Sequence, residues 1–158
     1  MNPAEVPPEF IQAFVVNVAV AILCGGMIGL ERQLRGKPAG LRVCILVVLT
    51  TAFFVTIAKE IDPGGQGHIR VLSSIITGVG FLGAGVIFRG GAQVSGITTA
   101  TLIWGLAAVG TTIGFGYPGV ALVAILVVIG VLGLIDIAER YFPRLTPPAR
   151  ENPEAENR

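Results

Sequence analysis

Acidic residues are missing from the long central part of this chain. Between Pro63 and Ile135 there is no Asp or Glu, and charged residues make up only 13% of the 158 residues. An average soluble domain has about 25% charged residues, so a composition that is 53% hydrophobic argues against a soluble domain. The same absence removes the carboxylates that a path for a divalent cation ordinarily needs. A Mg²⁺ carrier is therefore disfavoured by the residues themselves.

Groups that could catalyse a reaction or hold a metal ion are equally scarce. His68 is the only histidine, and the two cysteines, Cys24 and Cys44, both lie inside apolar runs. A nucleophile and its base must be neighbours, but His68 stands in a Gly-rich turn predicted at the opposite interface from the cysteines. No His/Cys cluster has the spacing of metal ligands. We expect no enzyme, no metal site and no cofactor, and we expect His68 to be a solvated loop residue.

Two nucleotide-related functions are also disfavoured. The segment Gly78–Gly83 fits the G-x-G-x-x-G pattern, but a dinucleotide site needs a preceding strand and an acid about 20 residues later. That acid is absent. The net charge is only +1 and no basic patch has interleaved aromatic residues, so nucleic acid is not an expected partner.

What the chain does contain is a series of five long apolar runs. Each is long enough to cross about 30 Å of hydrocarbon. The runs cover about Phe10–Leu30, Leu41–Ala58, Val71–Phe88, Ile97–Ile113 and Val120–Ala138. This pattern predicts an all-α integral membrane protein, a five-transmembrane-helix bundle over residues 10–138. Residues 1–9 form a short N-terminal segment without a basic residue, and we expect the charged tail, residues 139–158, to be largely disordered.

The positive charges indicate the orientation of this bundle. Nine of the 11 Lys and Arg residues fall on one of the two sides that five spans define. The connection after the first run holds Arg32, Arg35 and Lys37, with Arg42 just beyond it. Since cytoplasmic loops carry the excess of Lys and Arg, the N-terminus is predicted outside and the C-terminus in the cytoplasm.

The third run is rich in glycine and sorts into two faces when it is placed on a helix. Small residues gather on one face, including Ser73, Thr77, Gly80 and Ala84, with Ser74, Gly78 and Gly85 beside them. Larger ones gather on the other, namely Val71, Leu72, Ile75, Val79, Leu82 and Val86. We expect the small face to contact neighbouring helices, the large face to meet lipid, and small faces to join copies in a homo-oligomer. The predicted helix-packing glycines are Gly25, Gly29, Gly78, Gly80, Gly83, Gly85 and Gly105.

Charged residues mark the predicted cytoplasmic ends of the spans. Glu31 could pair with Arg35 four residues later, or with Arg42 or Arg89 across the bundle. These charges could serve topology and salt bridges alone, or they could form a functional polar cluster, and both interpretations remain open. Residues of this candidate cluster are Glu31, Arg32, Arg42, Arg89 and Thr98. In the first run, Asn17 could make an interhelical hydrogen bond or contact a ligand.

Four stretches of this sequence resemble the MgtC/SapB family of bacterial inner-membrane proteins. They are GLERQ at 29–33, AGLR at 39–42, GVGFLGAGVIFR at 78–89 and GITTATLIW at 96–104. The resemblance implies a multi-pass protein of the bacterial inner (plasma) membrane. The family is linked to magnesium homeostasis during growth under magnesium limitation and, in pathogens, to virulence through survival inside macrophages.

The resemblance also implies a role and a set of polar positions. Members are regarded as regulators that act through membrane partners, with ATP synthase as one proposed target. The family's polar positions fall here on Glu31, Arg32, Arg42, Arg89, Thr98 and Thr99. Virulence members carry a soluble C-terminal domain, whereas only about twenty residues follow Ala138 here, so a role that needs that domain is not expected. The expected function is regulatory, and the alternative is a transporter or channel for Mg²⁺ or another small solute.

Overall fold

The structure, a computed structural model, describes residues 7–65, 67–87 and 95–141, without the side chains of residues 139 and 140. Its helices are α1 (Pro8–Leu34), α2 (Leu41–Ile61), α3 (Gly67–Ile87), α4 (Ile97–Gly114) and α5 (Pro118–Tyr141). All five are long and apolar enough to cross a membrane, and the described ranges contain no strand. The prediction of an all-helical protein with five membrane-competent helices is confirmed. The side on which each terminus lies stays a prediction.

The chain divides into two compact units, residues Met1–Ile125 and Leu126–Arg158. In the first unit α2 contacts α1, α3 and α4, and α4 also contacts α1 and α3. Its core consists of apolar side chains with almost no exposed surface, among them Ile28, Val48, Val55, Leu106 and Ile113. The described part of the second unit is the remainder of α5, in which Leu126, Val127, Leu134 and Ile137 are exposed.

Two glycines bring the backbones of α1 and α2 into direct contact. A side chain at Gly25 would place its Cβ 2.6 Å from the Cα of Ile45, and one at Gly29 would lie 2.6 Å from the Cα of Leu41. Because apolar side chains gain little by leaving lipid for protein, close backbone packing stabilises helix pairs in a membrane. The G-x-x-x-G spacing of these residues places both on the same side of α1.

A second pair of glycines joins α4 to the other side of α2. A Cβ at Gly114 would lie 2.6 Å from both the backbone oxygen of Ala52 and the Cβ of Val55, and one at Gly110 would collide with Thr51 and Val48. The Thr51 hydroxyl donates to its own helix at Val47 O, 2.7 Å away, so the contact buries no unpaired donor. Neither Gly110 nor Gly114 is among the packing glycines predicted from the sequence.

The predicted facing of α3 is wrong within the first unit. Val79 is buried in a cluster with Ile103 and Ala107 of α4, and Ile75 and Val86 pack against that cluster. The large face therefore meets the neighbouring helices. The reason is that large side chains fill the space between α3 and α4, whereas among the predicted packing glycines of α3 only Gly83 comes close to α4: a Cβ there would lie 3.5 Å from the Ala100 Cβ. A Cβ added at any of the remaining predicted packing glycines would meet no atom within 4 Å; these are Gly78, Gly80, Gly85 and Gly105.

The turn between α2 and α3 is closed by an aspartate. The Asp62 carboxylate accepts a hydrogen bond from the N–H of Gly67, the first residue of α3, at 2.6 Å. The first N–H groups of a helix have no partner inside it, so a side-chain acceptor at this place stabilises the helix start.

We expect Asp62→Ala to lower the free energy of unfolding by about 1 kcal/mol, the usual cost of losing a side-chain cap. Denaturant unfolding of the purified protein in detergent micelles, followed by circular dichroism, would measure the change. Asp62→Asn is the matched control, because its amide oxygen keeps the acceptor. Equal midpoints for wild type and Asp62→Ala would contradict the capping role.

Candidate functional site at the Arg32 end of the helices

Arg32, in the last turn of α1, is a buried charged side chain with only 5% of its surface exposed. Its Nη2 donates to Thr99 Oγ1 at 2.6 Å and to the Pro38 carbonyl at 2.8 Å, and its Nε donates to the same carbonyl at 3.2 Å. One guanidinium thus joins α1, the α1–α2 connection and the first turn of α4. A carbonyl and a hydroxyl accept these hydrogen bonds, but neither neutralises the positive charge of Arg32.

The α1–α2 connection is folded so that Pro38 can face Arg32. The Lys37 N–H donates to the carbonyl of Arg32 at 3.0 Å, and Cys44 Sγ donates to the Ala39 carbonyl at 3.1 Å. Ala39 has a φ of 59°, a left-handed conformation that residues with a side chain seldom adopt. Such a conformation persists when the surrounding contacts determine it. The hydrogen bonds at both ends of this connection supply those contacts.

Glu31 pairs locally, with the neighbour one helical turn away. Its Oε1 lies 2.7 Å from Arg35 Nε, so the i, i+4 pairing forms, while the alternative with Arg89 lies outside the described residues. Both side chains are partly exposed, and such pairs stabilise a fold by about 0–1 kcal/mol. The second oxygen, Oε2, is buried and accepts no hydrogen bond from the described residues.

The other predicted site residues differ in their exposure and in their contacts. Thr99 is buried and contacts Arg32, whereas its neighbour Thr98 is exposed. Arg42 is exposed in the first turn of α2. Arg89 lies outside the described residues. The structure therefore brings Arg32 and Thr99 together, with the Glu31 pair beside them on α1.

Sequence reasoning missed two members of this site, the Pro38 carbonyl and Cys44. The PAG sequence at 38–40 indicates a turn, but it does not tell which carbonyl points at an arginine. Cys44 lies inside an apolar run of the sequence, and in the structure it is fully buried. Its hydrogen bond to Ala39 depends on the φ of that residue, for which the sequence has no signal.

The opposite end of the first unit is closed around Phe115. Lys59 Nζ donates to the Phe115 carbonyl at 2.9 Å, and the His68 ring meets the Phe115 ring edge-on with 5.9 Å between centroids. His68 is half-buried, and its Nδ1 is buried without a hydrogen bond from the part of the chain that the structure describes. The expectation of a solvated loop histidine is wrong, because the aromatic ring covers it.

Asn17 lines a cavity of about 280 Å³ between α1 and α2, together with Phe14, Phe53 and Thr56. The Thr56 hydroxyl donates to Ala52 O on its own helix at 2.8 Å. Within the described ranges Asn17 forms no side-chain hydrogen bond to another helix. Among the described residues, no group of three or more His, Cys, Asp or Glu side chains clusters as metal ligands would.

A family model and individual relatives of known name both place this chain in the same family. The family model described as "MgtC family" matches residues 18–141. A protein named "Protein MgtC" from Brucella abortus (strain 2308) is 43% identical over 118 residues, which is 75% of this chain and 49% of the relative. "Protein MgtC" from Salmonella typhimurium (strain LT2) is 39% identical over 116 residues, 73% of this chain and 49% of the relative.

The chain spans about half the length of the curated relatives it matches. No solved structure matches it. The family match covers well over half of the chain, including α2, α3, α4 and the Arg32 site. This multi-pass membrane protein belongs to the MgtC family.

Proposed function

We propose that this protein is a regulatory protein of the bacterial inner membrane, which acts in adaptation to magnesium limitation by binding a membrane partner at its Arg32 end. The observation that carries the proposal is the position of the buried charge. Arg32 is buried and held by Thr99 and Pro38 at the end of the helices, and Arg42, at the same end, is exposed to a partner. Intramembrane charges that face a bundle usually mark function.

The packing of the first unit supports regulation over transport. Gly25 and Gly29 bring the backbone of α1 against α2, and Gly110 and Gly114 bring α4 against it, which leaves no room for an ion path at these contacts. The buried hydroxyls of Thr51 and Thr56 are bound to their own helices. A path for Mg²⁺ would need oxygen ligands facing each other along its length.

Growth at low magnesium tests the regulatory role. In cells from which the native copy is deleted, we expect wild-type protein to restore growth and Arg42→Ala to fail, although both reach the membrane in equal amounts. Arg42 is exposed, so its loss should change stability by less than about 0.5 kcal/mol. Glu60→Ala, exposed at the other end, is the control that should restore growth. Full growth with Arg42→Ala would refute a role for this end. In a separate experiment, co-purification with the wild-type protein would test whether the partner is ATP synthase, as the family resemblance implies.

A flux measurement tests the alternative function. Purified protein is placed in sealed liposomes that contain a Mg²⁺-sensitive dye, and Mg²⁺ is added outside. We expect the same rate of entry as in liposomes without protein. Entry that depends on the wild-type protein and falls with Arg42→Ala would make the protein a transporter and overturn the regulatory proposal.

A further inference from the structure

A large groove runs between α2 and α3 in the first unit. Its volume is about 520 Å³, and its walls include Leu46, Thr50 and Phe54 of α2 and Ser74, Gly78 and Leu82 of α3. These two helices contact each other less than either contacts α4. The groove lies in the gap between them.

The groove presents mainly hydrocarbon, and two of its three hydroxyl side chains have their donors engaged. The Ser74 hydroxyl donates to Arg70 O of its own helix at 3.0 Å, and Thr51, which also lines the groove, donates to Val47 O at 2.7 Å. With their donors engaged, these residues offer mainly carbon atoms to a ligand. The chemistry of the walls therefore fits a hydrocarbon chain.

The dimensions of the groove favour a lipid chain over a helix. An α-helix with side chains is about 10–12 Å across, so about 520 Å³ holds only about one helical turn. Along α3 the lining extends from Val71 to Leu82. That distance is about 16 Å at 1.5 Å per residue, close to the ~15 Å depth of one leaflet. One acyl chain of one leaflet matches this length.

A positive charge stands at one end of the groove. Arg70, Ser74, Gly78 and Leu82 follow at four-residue intervals, so they lie along one ridge of α3. Arg70 is exposed one turn beyond Ser74 and forms no ion pair with the acidic residues that the structure describes. A guanidinium at this position can donate two hydrogen bonds to one phosphate. Asp62, the nearest acid in the α2–α3 turn, is bound to the Gly67 N–H.

We propose that the α2–α3 groove binds one acyl chain of an anionic glycerophospholipid and that Arg70 binds its phosphate. The site is independent of the function proposed above, because none of the residues that line the groove belongs to the Arg32 site. It would hold a lipid against two helices that contact each other less than either contacts α4.

Glycine substitutions on α3 separate the groove from the rest of the helix. A Cβ at Gly78 or at Gly80 would meet no atom of the described residues within 4 Å beyond its own helix backbone, so both positions face open space. Only Gly78 lines the groove. Gly78→Leu should fill the groove without disturbing the fold, and Gly80→Leu is the control with the same change in helix propensity and hydrophobicity.

Native mass spectrometry of the full chain, titrated with dioleoyl-phosphatidylglycerol or dioleoyl-phosphatidylcholine, tests the proposal. We expect one phosphatidylglycerol to bind wild type at least tenfold more tightly than phosphatidylcholine. Arg70→Ala should abolish this preference, and Gly78→Leu should weaken the binding of both lipids at least fivefold. Gly80→Leu and Lys37→Ala, an exposed cation at the other end, should match wild type. Circular dichroism would show that each variant keeps its helix content.

Three results would overturn the lipid site. The first is that Gly78→Leu binds phosphatidylglycerol as tightly as the wild type does. The second is that the wild type binds the two lipids with equal affinity. The third is a change from dimer to monomer in Gly78→Leu with unchanged lipid adducts, because a second copy of the chain would then occupy the groove.

Discussion

Gly110→Ala is expected to lower the free energy of unfolding by about 3 kcal/mol, the upper part of the usual range for overpacking. The added methyl group would overlap both the Thr51 hydroxyl and the backbone oxygen of Val48. A flexible side-chain tip can move away from such a contact, but a helix backbone cannot do so alone. Relief therefore requires α2 and α4 to move apart, which would also loosen the Gly114 contact with Val55.

Gly105→Ala is the matched control for this experiment. Gly105 lies on the same helix, and a Cβ there would meet no atom within 4 Å. Since alanine is favoured over glycine in a helix by about 1 kcal/mol, this variant should be equal to or slightly more stable than wild type. Unfolding of both variants in mixed micelles, monitored by circular dichroism, would measure the difference. If the two variants unfold at the same denaturant concentration, α2 and α4 do not pack as closely as the structure has them.

The contrast between these two glycines also explains which parts of the fold the sequence could predict. Five helices followed from the length of the apolar runs, because a bilayer demands about 20 apolar residues per span. The face that each helix buries did not follow, since both faces of a membrane helix are apolar. Gly110 and Gly114 have the same G-x-x-x-G spacing as Gly25 and Gly29, so a signal for the α2–α4 contact was present in the sequence.

The Arg32 site was predictable to a similar, limited extent. The pairing of Glu31 with Arg35 is local and follows from helix geometry, so it was among the expected alternatives. Thr98 and Thr99 both matched the family pattern, but only Thr99 faces the guanidinium. Which of two consecutive residues points inward depends on the rotation of α4 about its axis. That rotation is set by contacts such as Gly110 with α2, which are distant in sequence.

Thr99→Val is expected to lower the free energy of unfolding by about 2 kcal/mol, which is typical of a buried hydrogen bond to a charged group. Valine has nearly the shape of threonine, so the change removes the hydroxyl that accepts from Arg32 Nη2 at 2.6 Å and creates little cavity. Its matched control is Thr98→Val, one residue earlier and exposed, which should change stability by less than about 0.5 kcal/mol.

A double-mutant cycle would assign this loss to the contact itself. Arg32→Met removes the guanidinium and keeps an unbranched side chain, so Thr99→Val should cost little in that background. The expected coupling energy between the two positions is about 1–2 kcal/mol, within the range for residues in direct contact. Amide exchange at Lys37, whose N–H is bound to the Arg32 carbonyl at 3.0 Å, should quicken in Thr99→Val if the arginine also holds the α1–α2 connection in place. Additive effects of the two substitutions would mean that α4 and α1 are not joined through this hydrogen bond. The Arg32 end would then lack the fixed geometry that a partner needs to recognise it.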